Sequence, residues 1–127
     1  MPYLIDGNNF IGQIIPCNLR EPRSKYELIS NLLIFKRRKR TRVLVVFDGM
    51  PGPGLEQEKF QKKKFSVLYP SLGQKADEKI KEIIAKQTDL RRFFVVSSDR
   101  EIKSFARAKG AKPMSSEEFN RELKASL

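Results

Sequence analysis

Four aspartates stand at equivalent places in the chain. Asp6 follows Tyr3-Leu4-Ile5, Asp48 follows VLVVF, Asp77 lies in GQKADEKI, and Asp99 follows FFVVSS. Carboxylates brought together repel one another unless protons or a cation sit among them. A hard divalent ion suits such a group. Magnesium typically takes one or two carboxylates, keeps several waters and lets substrate phosphate complete its shell. Such an ion lowers the pKa of a bound water and neutralises charge developing on a phosphodiester. Asn8 and Asn9 add polar groups beside Asp6. Each acid also has a plain structural role available. Asp6-Gly7 and Asp48-Gly49 suit turns, Asp77 suits a helix N-terminus, and Asp99 suits an N-cap. Ser98 with Glu101 already forms a capping pattern, which leaves Asp99 able to face a ligand. Glu27, Glu101 and Glu118 are expected to serve in capping rather than catalysis.

Composition narrows the chemistry. The chain has no histidine, which excludes Ser-His-Asp and Cys-His nucleophile systems and a histidine general base. The single cysteine, Cys17, excludes an internal disulfide and fits a reducing compartment, so a cytoplasmic location is expected. Neither a secretory leader nor a membrane span is expected, since no apolar run approaches roughly 18 residues. The 26 Lys and Arg outnumber the 15 Asp and Glu, for a net charge of +11. That field favours polyanions, nucleic acid first.

The elements that must position the acids are legible as patterns. Near-continuous apolar runs at 3–5, 43–47, 65–69 and 93–96 predict strands buried on both faces, with a fifth short strand near 111–114. Helical spacing predicts helices over 25–36, 75–87, 100–109 and 116–126. Ser24 with Glu27, Ser98 with Glu101, and Ser115 with Glu118 are three capping-box patterns, and Gly110 stands where a C-terminal cap glycine belongs. Residues 12–23 and 49–64 are expected to be loops. Strands alternating with helices predict one α/β domain over residues 1–127, with a central, mainly parallel sheet of four to five strands flanked by helices in three layers. In such a sheet the strand C-termini share one edge, where ligands bind. The four acids should converge there.

Basic residues cluster at 36–42, at 59–64 and at 91–92. The first and last precede strands and should lie at the edge opposite the acids. Lys62, Lys63 and Lys64 end the second loop and are expected near the centre, as are Lys75 and Arg100. These five are the candidate RNA phosphate contacts. Phe10 and Tyr69 suit either base stacking or the core.

In order, LIDGNNFIG, VLVVFDG, GQKADEKI, FVVSSDREI and GAKPMSSEEF resemble the motifs of NYN domains in the PIN-like nuclease superfamily, of the YacP-like group. The resemblance covers roughly residues 1 to 123. It implies a small parallel α/β fold and Mg²⁺- or Mn²⁺-dependent hydrolysis of RNA phosphodiester bonds by an endoribonuclease. It further implies mRNA as substrate and the ribosome as a partner. Carried over by position, Asp6, Asp77 and Asp99 match acidic metal-site residues, Asn8 the asparagine that orders the site, and Asp48 an acid after the second strand. The third motif departs from the usual pair of aspartates, reading Asp77-Glu78. The alternatives are a non-catalytic RNA- or ribosome-binding module on the same fold, a DNA-directed 5′ nuclease, and a nucleotide-binding regulatory domain. The chain has no room for the long helical insertion of the second alternative, and no G-x-G-x-x-G follows the first strand for the third.

Overall fold

The computed structural model describes residues 1–14, 22–50 and 64–127. Five strands, β1 (Tyr3–Asp6), β2 (Val43–Val46), β3 (Phe65–Leu68), β4 (Phe94–Val96) and β5 (Lys112–Met114), form one sheet in the order β3-β2-β1-β4-β5. Every pairing is parallel, with Leu4 opposite both Leu44 and Val95. Five helices are described: α1 (Gly7–Ile14), α2 (Pro22–Lys39), α3 (Ala76–Ala85), α4 (Arg100–Lys109) and α5 (Ser116–Ala125).

Alternation along the strands sorts the core into two. Tyr3, Ile5, Val43, Val45 and Phe47 face α1, α2 and α5, meeting Phe10, Ile11, Leu28, Leu32, Phe35 and Phe119. Leu4, Leu44, Val46, Phe93 and Val95 face α3 and α4, meeting Ile80, Ile84, Ile102 and Ala106. Both faces are therefore covered, as the unbroken apolar runs require. By the same two-residue period, Asp6 and Ser97 are directed to the α3/α4 side.

Two expectations are corrected. The loop expected over 12–23 is helical at both ends: α1 runs from Gly7 to Ile14 and α2 already begins at Pro22, a residue suited to the first helical position. Residues 15–21 and 51–63, with Cys17, Lys59, Lys62 and Lys63, lie outside the described residues. Ser24 lies inside α2 and is buried, so it is not the N-cap residue of that helix. Ser115 does cap α5, accepting from the Glu118 N–H. Gly110 ends α4 at φ 95°, in the left-handed region.

Gly7 has a packing reason. A Cβ there would lie 2.6 Å from the ring of the fully buried Phe47 and 3.0 Å from the Val46 carbonyl oxygen. Gly7→Ala should therefore destabilise the fold by roughly 1–3 kcal/mol through overpacking. Urea denaturation checks this; an unchanged midpoint would show that the ring gives way freely.

Candidate active site

The strand order reverses between β1 and β4: the chain leaves β1 toward β2 and leaves β4 toward β5. This is the topological switch point, where open parallel sheets form their ligand crevice at the strand C-termini. Asp6 ends β1 and Asp99 follows β4, so both stand at that crevice. Asp77 reaches it from the first turn of α3, which packs on β1, β2 and α4.

Asp6 is the centre of the arrangement. It is 7% exposed. Ser97 Oγ donates to its Oδ2 at 2.9 Å, and the Asn9 backbone N–H donates to the same carboxylate. Asp6 thus caps α1 while ending β1. Its pKa is pushed up to about 6, first by burial and further by the like charges of Asp99 and Asp77; the hydrogen bonds from Ser97 and Asn9 pull the other way. Asp6 therefore feels both other carboxylates across the crevice.

Asp99 corrects one expectation. It, not Ser98, is the N-cap of α4: its Oδ1 accepts the Glu101 N–H at 2.8 Å and the Ile102 N–H at 3.1 Å. The Asp99 N–H in turn donates to Ser97 Oγ at 3.1 Å. Ser97, fully buried, therefore ties Asp99 to Asp6. Glu101 does not cap; it accepts from Lys81 Nζ at 2.5 Å. Lys81 lies one helical turn beyond Asp77, and Asp77 and Asp99 both raise its pKa after that Glu101 contact. Glu78 reaches back to the Lys75 N–H at 3.2 Å, which accounts for it as a capping group.

The two asparagines tie the crevice together. Asn8 Oδ1 accepts the Asp48 N–H at 2.6 Å, fixing the loop after β2 to the start of α1. Asp48 itself is exposed and accepts the Gly49 N–H at 2.9 Å, the Asp-Gly turn. Asn9 Oδ1 accepts the Ser98 N–H at 2.9 Å and Ser116 Oγ–H at 3.1 Å, joining α1 to the loop after β4 and to α5. Ser97 was not among the sequence candidates, and Asn9 stood there only as a polar group beside Asp6. Parity along β4 marks Ser97, whereas no local pattern marks Asn9.

Lys25 is a further residue that the sequence did not single out. It is half-buried in the first turns of α2, with Nζ 5.3 Å from the Phe47 ring centroid and 6.0 Å from that of Tyr69. Burial lowers its pKa, while the Asp48 carboxylate acts the opposite way. Lys75 and Arg100 are exposed beside the crevice, as N-cap of α3 and first residue of α4. Lys64 is not there. It immediately precedes β3, and in a parallel sheet the strand starts lie at the far edge. The connection from β2 to β3 has to cross from one edge to the other, so its last residue lies opposite the acids. Phe10 and Tyr69 are buried core residues, not exposed stacking platforms.

Among the described residues, no group of three or more His, Cys, Asp or Glu side chains is gathered closely enough to hold a metal ion by itself. Nor is any helix among them long and apolar enough to cross a membrane.

A doubly covered parallel sheet with acids at its switch point defines an α/β fold with an acidic crevice, and the comparisons place that fold in a nuclease-type family. The chain belongs to the YacP-like NYN domain family, whose profile matches residues 3–126. Its fold is similar to the crystal structure of Rae1 (YacP) from Bacillus subtilis. The TM-score is 0.79 at 24% identity, over 99% of this chain and 75% of that one. A tryptophan-to-leucine mutant of the same protein gives 0.77 at 24% identity, over 98% and 76%. No curated protein sequence matches the chain. Nucleases of the NYN and PIN-like kind generally use divalent metal ions, and the family suggests RNA as substrate.

Proposed function

We propose that the protein is a metal-dependent endoribonuclease that hydrolyses RNA phosphodiester bonds, with Asp6, Asp77 and Asp99 as its acidic centre. The observation that carries this is geometric: the buried Asp6 carboxylate shares the switch-point edge with Asp99 and Asp77, and burial first, then those like charges, push its pKa up to about 6. A carboxylate that holds its proton so far above its ordinary range gains most from a nearby cation. The donors are all hard oxygens, and the Asp6 and Asp99 carboxylates each already accept hydrogen bonds within the fold. They therefore suit a divalent ion that keeps several waters, Mg²⁺ or Mn²⁺, rather than one enclosed by protein. When bound, that ion would supply a more acidic water and neutralise charge at the phosphate.

The chain's own residues do the positioning. Ser97 holds Asp6 and Asp99 in one frame, and Asn8 holds the loop that carries Asp48. The N-termini of α1, α3 and α4 open on the same edge, and their positive dipole ends favour phosphate. Lys75 and Arg100 are the proposed phosphate contacts at the mouth, with Lys25 on the Asp48 side. Lys62 and Lys63 remain candidates from the sequence. The substrate is mRNA, the setting the cytoplasm, and the ribosome a partner.

One observation favours the alternative, a non-catalytic RNA- or ribosome-binding module on this fold: the described carboxylates form no closed metal cluster. A covalently closed single-stranded RNA circle separates the two and also tests for internal cutting. With Mg²⁺ or Mn²⁺ the protein should linearise the circle, and chelator should prevent it. Circles that stay intact on naked RNA and when engaged by ribosomes, yet are bound, would establish the module.

A further inference from the structure

The cationic edge opposite the acids has its own architecture. Lys36, Arg37, Arg40, Thr41 and Lys64 line a cavity of ≈ 230 Å³ beneath the starts of β2 and β3. Arg91, Arg92 and Lys112, with Asp89, line a second of ≈ 420 Å³ beneath β4 and β5. The start of β1 lies between them.

The first cavity is built at a conformational cost. Arg40 has φ 52° and Lys64 φ 64°, the two non-glycine residues in the left-handed region among those described. Arg40 follows the last turn of α2, and the Thr41 N–H donates to the Lys36 carbonyl at 3.2 Å. That bond closes a Schellman turn, whose left-handed position glycine usually occupies. Here both left-handed positions carry long cations, and both line the same cavity.

Helix capping does not account for them. One or two cations satisfy a helix C-terminus, yet Lys36, Arg37, Arg38 and Lys39 all fall in the last turn of α2 and Arg40 follows. Lys36 and Lys39, three apart within α2, are like-charged neighbours on the helix surface. Among the described residues no carboxylate pairs with Lys36, Arg37, Arg40 or Lys64. None of the exposed large hydrophobics among the described residues lines either cavity, so no apolar membrane anchor accompanies these cations there.

We infer that the strand-start edge is a second RNA-binding surface, which grips backbone phosphates of the substrate away from the bond that is cut. Four-residue strands separate the two edges by about 13 Å, so an RNA several nucleotides long would be needed to engage both. Identifying the polyanion as RNA rests on the proposed function; the binding itself does not.

The test is fluorescence anisotropy with a labelled 30-nucleotide single-stranded RNA, in chelator, across a KCl series. The variant carries Arg40→Gly and Lys64→Gly, which remove two cations and relieve both left-handed positions. It should melt no lower than the wild type and bind RNA about fivefold or more weakly. Its plot of log affinity against log salt should be shallower by about 1.4, two phosphates' worth on a single strand. Lys36→Gln with Arg37→Gln, at ordinary helical positions, should show the same loss of slope. Wild-type affinity and slope in both variants would overturn the proposal. So would displacement of the RNA by polyglutamate at equal charge, which would assign the edge to an acidic protein. Failure to cleave circles with this salt dependence intact would sink the nuclease reading alone.

Discussion

Asp6→Asn is expected to lower RNA cleavage on the order of 10³-fold, the scale on which loss of one preorganised electrostatic contact acts, while leaving the fold intact. Asparagine has nearly the shape of aspartate and keeps an acceptor for Ser97 Oγ–H and the Asn9 N–H. What it lacks is the negative charge at the point where β1, α1 and β4 meet. The loss should appear in kcat more than in KM, because the proposed phosphate contacts lie elsewhere, at the helix N-termini and the surrounding cations. Single-turnover cleavage of a labelled RNA at saturating protein measures it. A variant within tenfold of the wild type would remove Asp6 from the centre.

The same substitution should raise stability in the absence of divalent ions, and the gain should depend on pH. Asp6 has an ordinary value of 3.8 and stands at about 6 in the fold. Below about 4 it is protonated in both states and costs nothing. Between about 4 and 6 the native chain holds a proton that the unfolded chain has released, so rising pH disfavours the native state. Above about 6 the full cost applies, at most about 3 kcal/mol for a shift of this size. Asp6→Asn should therefore match the wild type near pH 4 and melt several degrees higher at pH 7.5. Adding Mg²⁺ should raise the wild type toward the variant and leave the variant unmoved. Thermal melts in chelator at both pH values test it; a variant that melts lower at pH 7.5 would contradict the burial cost. Loss of activity with gain of stability in one substitution is the signature of a strained functional group.

The sheet was legible because its strands are unbroken apolar runs, which only burial on both faces explains. Parallel topology put Asp6, Asp48 and Asp99 after strand ends and Asp77 at a helix start on the same edge, but the described acids are not gathered as closely as a metal cluster. Helix α1 was not legible: Gly7, Asn8 and Asn9 are poor helix formers, and the helix is held by Asp6 capping its first turn and by burial of Phe10 and Ile11. Asp6 before Phe10, Ile11 and Ile14 was the available signal. The α4 cap was misplaced by one residue because Ser98 and Asp99 both suit an N-cap, and the choice depends on Ser97 holding the Asp99 backbone. Lys64 belongs by sequence to the loop after Asp48, but topology carries it to the far edge, directly before β3. A parallel crossover always delivers its last residue to the far edge. That lysine is one of the cations of the second surface.

The measurement that bears most directly on the account is mapping of RNA ends after incubation with purified protein, on naked mRNA and on mRNA engaged by translating ribosomes. Mg²⁺ or Mn²⁺ is supplied, and Asp99→Asn, which can retain the α4 cap, runs alongside. The account predicts new internal ends with the wild type and none with Asp99→Asn. Intact RNA in every wild-type lane, with the protein still bound, would contradict it.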